Sequence, residues 1–68
     1  MSSRVFQLKE KVLQHVPEGE LPWVLFTKIA MKSGINLKTV NENSDAPEDK
    51  IQRAVAACKE IFGPSFNF

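Results

Sequence analysis

Along the first sixteen positions apolar residues return at three- and four-residue steps: Val5, Leu8, Val12 and Val16, with Leu13 alongside. That period gathers them on one stripe of an α-helix, and the spacing predicts a helix from about Ser3 to Val16. Ser2 or Ser3 supplies a capping hydroxyl at its start, and Pro17 prevents its continuation. Pro17-Glu18-Gly19-Glu20 is a turn by composition. A second segment opens with Pro22, suited to the first helical position, and runs through WVLFTKIAMKS. It stops at Gly34, the expected left-handed cap. Leu21 ahead of it, with Leu25 or Phe26 inside it, has the spacing of a hydrophobic staple.

This second segment holds more apolar residues than one buried stripe uses: Trp23, Val24, Leu25, Phe26, Ile29 and Met31. It is therefore either the central helix of a bundle or a helix whose surplus apolar surface meets another subunit. Trp23 is expected in the core. A third, short helix is predicted from Asn36 to about Asn43, with Asn36 as its cap and Leu37 and Val40 pointing inward. Asn43-Ser44-Asp45-Ala46-Pro47 breaks it, and Asp45 with Glu48 has the form of a capping box. The fourth helix, Glu48–Phe62, presents Ile51, Val55, Cys58 and Phe62, flanked by Ala54 and Ile61, before Gly63-Pro64 ends it. Phe66 and Phe68 in the tail either pack back on the bundle or fray. The fold expected is all-α: a single four-helix domain over residues 1–68.

Composition narrows the class. Sixty-eight residues leave room for one core, and 43% hydrophobic with 25% charged residues is the balance of a soluble globular domain. The apolar runs fall short of the roughly 20 residues of a membrane span, and MSSRVFQLKEK lacks the apolar core of a secretory signal. Cys58 is the single cysteine, so a reducing, cytoplasmic setting is the expectation. Catalysis is not expected: no nucleophile–base pair, glycine-rich phosphate loop or metal-ligand spacing is evident, and no cofactor is implied. Cys58 shares an apolar stripe with Val55 and Phe62, which makes it a small hydrophobe. His15 has no second histidine to pair with and suits a helix C-terminus.

The segment FTKIAMKSGINLKTVNEN, Phe26–Asn43, carries the specific functional signal. Two helices joined at Gly34, with the small Ala30 four residues earlier, form the arrangement of a helix-turn-helix at about residues 22–43. Ile29 stands as an inward apolar residue, Ile35 as a plug after the turn and Val40 as an anchor. Thr39-Val40 follows the glycine as it does in repressors similar to the LacI class, and Val55 to Gly63 looks like the helix that follows the motif there. The resemblance spans residues 26–63 and extends to phage repressor and Cro-like headpieces. It departs at Asn43, where an apolar residue is usual, and in the short loop before the last helix.

The resemblance implies a small prokaryotic or phage regulator that binds double-stranded DNA as a homodimer. Base contacts would fall on Asn36, Lys38, Thr39, Asn41 and Glu42, and phosphate contacts on Thr27, Lys28 and Lys32. Ile29, Ala30, Gly34, Ile35 and Val40 would be its scaffold. Charge is weak support: the net is +1. Residues 1–40 hold six basic against three acidic side chains, and residues 41–68 three against five, so a DNA face would have to come from the first half. The second reading is a helical interaction module, an adaptor or inhibitor, that meets a protein through its surplus apolar face.

Overall fold

In the computed structural model, which describes residues 3–68, Ser3 starts the first helix: its Oγ accepts a hydrogen bond from the Phe6 N–H at 3.2 Å. Helix α1 runs Arg4–His15, α2 Pro22–Ser33 and α3 Glu48–Phe62. The described residues are thus helical and without strands. Pro22 opens α2, and Gly34 closes it in the left-handed region at φ 80°, donating its N–H to the Ala30 carbonyl at 2.8 Å. Both ends lie where the sequence puts them.

Helix α3 is the element against which both α1 and α2 pack. Val5, Leu8 and Val12 of α1, Phe26 and Ile29 of α2, and Ile51, Ala54, Val55 and Cys58 of α3 share one core. Ile35, Leu37 and Val40 fill it from the connection between α2 and α3. Phe66 closes it from the tail: the chain turns after α3 with a Phe66 N–H to Gly63 carbonyl bond, and the ring is 1% exposed. It stacks on Phe62 at 5.7 Å between centroids and meets the His15 ring edge-on at 5.0 Å. No helix among the described residues is long and apolar enough to cross a membrane.

The expected count of four helices is corrected to three plus one turn. Residues 36–43 do not form a helix; a single 3₁₀ turn, Leu37–Thr39, stands in their place. The cause is local competition by side chains for backbone groups. Asn36 Oδ1 accepts from the Lys38 N–H and Thr39 Oγ1 donates to the Asn36 carbonyl. Val40 then turns extended, at φ −74° and ψ 133°, and the Lys9 ammonium donates to its carbonyl at 2.8 Å. Beyond it, Asn41 Oδ1 accepts from the Asn43 N–H and Ser44 Oγ from the Asn41 N–H. Each of these bonds holds a backbone group outside the helical ladder.

Two smaller expectations also change. Asp45 and Glu48 make no capping box: Asp45 bonds the Ala46 N–H, and Pro47 occupies the cap position of α3 without a side-chain bond. Glu48 instead receives Arg4 at 2.9 Å and Gln52 at 2.8 Å. Those two bonds, Gln52's the larger influence, hold its carboxyl below the usual range. Leu21 does not act as a buried staple, since it is exposed.

Candidate interaction surface

Helix α2 divides cleanly between inside and outside. Leu25, Phe26, Ile29 and Ser33 are buried. At 100° per residue the opposite line is Val24, Thr27 and Met31, with Trp23 on one flank and Lys28 and Lys32 on the other. All six of these residues are exposed. Thr27 does not interrupt the apolar line with an unsatisfied hydroxyl, because its Oγ1 donates to the Trp23 carbonyl at 2.9 Å.

Trp23 is 55% exposed, which overturns its expected place in the core. The indole lies outside because the three-residue step from Phe26 carries it round to the outer half of the helix, while Leu25, Phe26 and Ile29 already fill the inner half. Met31 is 84% exposed, Leu21 57% and Val24 45%. Four of the six exposed large apolar side chains among the described residues therefore fall between Leu21 and Met31, the others being Leu13 and Phe68. Scattered exposed hydrophobes are ordinary, but a contiguous set of a few hundred Å² marks an interaction site.

The basic flank is not bare. A groove of about 420 Å³ runs along it, lined by Glu20, Lys28, Lys32 and Glu60 with Leu25 and Phe62 among its apolar walls. Lys32 Nζ donates to Glu60 at 2.8 Å, and that hydrogen bond holds the Glu60 carboxyl below its ordinary range. Two lysines and two glutamates thus share one side of the apolar line.

The residues expected to read DNA lie elsewhere. Asn36, Lys38, Thr39, Asn41 and Glu42 are exposed, on the 3₁₀ turn and the bend that follows it. Asn36, Thr39 and Asn41 direct their side-chain oxygens to neighbouring backbone groups, those of Lys38, Asn36 and Asn43 respectively. Of the expected phosphate contacts, Thr27 and Lys28 are exposed on α2, whereas Lys32 is paired with Glu60. The scaffold positions pack inward: Ile29, Ile35 and Val40 are buried, and Ala30 is half-buried. Glu20 and Glu60 are the surface residues that sequence reasoning passed over. Glu60 was legible only as one polar position on α3, because its pairing with Lys32 spans 28 residues.

No protein-family model, curated protein or solved structure matches this chain.

Proposed function

We propose that this chain is a small helical interaction module that docks on a protein through the outward face of α2. One observation carries the reading: Trp23, Val24 and Met31 stand exposed on a helix whose inner face is already filled, with Leu21 exposed just ahead of it. Tryptophan is the residue type that most often dominates a protein interface, since it offers a large rigid surface at low entropic cost. Leaving it in water on a chain of this size is hard to account for by folding alone.

The DNA reading keeps one favourable observation, the buried Ile29, Ile35 and Val40 around a left-handed Gly34. It lacks a helix to enter a major groove, because three residues of 3₁₀ turn cannot present a row of side chains to base edges. Interaction with protein is therefore the better account.

A photo-reactive phenylalanine analogue placed in turn at positions 23, 38 and 41 separates the readings. The expected result is a protein adduct at position 23 that disappears when Met31→Glu is added but persists with Leu13→Glu. Adducts to DNA at positions 38 or 41, with none to protein at 23, would overturn the proposal.

A further inference from the structure

We infer that Met31 is a reversible oxidation site, at which a peroxide turns the outward face of α2 from apolar to polar and so releases a partner docked there. The release rests on the interaction-module reading; the oxidation site stands apart from it.

The placement of sulfur carries the inference. The sulfur atoms of the chain belong to Met1, Met31 and Cys58, and Met1 lies outside the described residues. Cys58 is 0% exposed, and burial raises its thiol pKa, so it offers an oxidant neither access nor thiolate. Met31 is the most open of the large apolar side chains described, at 84%. A peroxide in solution therefore meets the Met31 thioether before it meets the core.

Position gives that chemistry an effect. Met31 stands in the last turn of α2, two turns beyond Val24 and about 20° from it around the helix, so both belong to the exposed apolar line. Oxidation replaces a flexible apolar side chain by a polar, chiral one. In a core that change disrupts packing. Here the added oxygen points into water and leaves the fold intact, but it costs a docked partner the burial of a polar group without a hydrogen bond.

The step is a balanced oxygen transfer. A sulfur lone pair attacks one peroxide oxygen, the S–O bond forms as the O–O bond breaks, and the departing hydroxide takes a proton to become water. Sulfur loses two electrons and the peroxide gains them. A methionine sulfoxide reductase returns two electrons from a thiol pair, forming a disulfide and water. So open a sulfur gives both sulfoxide epimers, so both types of reductase are needed for full reversal.

The full chain treated with dilute hydrogen peroxide provides the test, followed by peptide mass mapping, circular dichroism and hydrophobic-interaction chromatography. The expected result is one oxygen on Met31 with Cys58 unmodified, an unchanged melting temperature and earlier elution, all reversed by the two reductases. Met31→Leu, which lacks the thioether, should keep its elution position after peroxide, whereas Met31→Gln should elute early without it. With the photo-reactive analogue at position 23, oxidation should lower the protein adduct about tenfold or more, the scale of losing one buried apolar side chain, and Met31→Leu should prevent that loss. Oxygen appearing on Cys58 or Trp23 ahead of Met31 overturns the site, as does a melting temperature that falls when Met31 alone is oxidised. An adduct undiminished by Met31 oxidation overturns the release. Selective oxidation with early elution, but no protein adduct even from the untreated chain, overturns the interaction-module reading while the oxidation site stands.

Discussion

Ser33 and Ile35 are joined across the end of α2 by a buried hydrogen bond: the Ile35 N–H donates to Ser33 Oγ at 3.2 Å. The same hydroxyl donates to the Ile29 carbonyl at 2.7 Å, so one side chain satisfies two backbone groups where the helix stops. Ser33 is the one buried polar residue among those described, 4% exposed, and this double role explains its burial. It fixes the direction in which the chain leaves α2, and so places Ile35 and Leu37 in the core.

Ser33→Ala should therefore destabilise by more than loss of an average hydrogen bond. The Ile35 N–H stays buried without its partner, which costs about 1–3 kcal/mol. For a domain of this size the melting temperature should fall by about 5–15 °C, measurable by circular dichroism. A change below one degree would mean that the N–H reaches water.

Gly34→Ala should cost about 1–2 kcal/mol from backbone conformation, because φ is 80° there. Space is not the reason. A Cβ at this position would meet only the Lys50 side chain, at an ordinary 3.7 Å. Gly34→Asn should accordingly be milder than Gly34→Ala, since asparagine tolerates the left-handed region better. Denaturant unfolding of the pair checks the order, and equal losses would point to crowding instead.

The parts of the fold readable from sequence are those where one local rule acts without a competitor. Pro22 and Gly34 bound α2, Ser3 caps α1, and the stripes Val5-Leu8-Val12 and Ile51-Val55-Cys58 are the buried ones. Residues 36–43 misled because their apolar spacing, Leu37 to Val40, is equally satisfied by a 3₁₀ turn that buries both. Asn36, Thr39, Asn41 and Ser44 decide between the two, and they favour bonds to nearby backbone. The candidate surface was half legible. The apolar surplus of α2 is visible in its composition, but which residues form that surplus depends on where α3 lies. Trp23 could be placed outside only once Leu25, Phe26 and Ile29 were seen to fill the inner face.

Cys58 makes the pH dependence of stability testable. Burial among apolar side chains pushes its thiol up to about 11 from an ordinary 9.0. Between those values the unfolded chain releases the proton that the folded chain retains, so the stabilising difference is complete below pH 9 and is lost as pH rises toward 11. Cys58→Ala removes this dependence along with some packing. Melting temperatures of the two forms should therefore converge between about pH 9 and pH 11, and parallel curves would show that the thiol is accessible to water when folded.

Phe66 and Phe68 differ by two positions and should differ widely in consequence. Phe66 is buried against Phe62 and the His15 ring, so Phe66→Ala removes a core aromatic and leaves a cavity beneath the tail. Such truncations cost about 3–5 kcal/mol, a large share of the roughly 5–15 kcal/mol that stabilises a small domain. Phe68 is 36% exposed and offers its ring to the Arg4 guanidinium at 5.0 Å. Arg4 is itself bound to Glu48, so removing that ring leaves the cation with a partner. Phe68→Ala should shift urea unfolding slightly, by about 0.5–1 kcal/mol, the value of an exposed cation–π contact. Because Pro64 and Ser65 between them and α3 are exposed, the tail depends on Phe66 for its attachment. Truncation after Gly63 should then reproduce the Phe66→Ala loss with little added, and a markedly larger loss would locate further stabilising contacts in residues 64, 65 and 67.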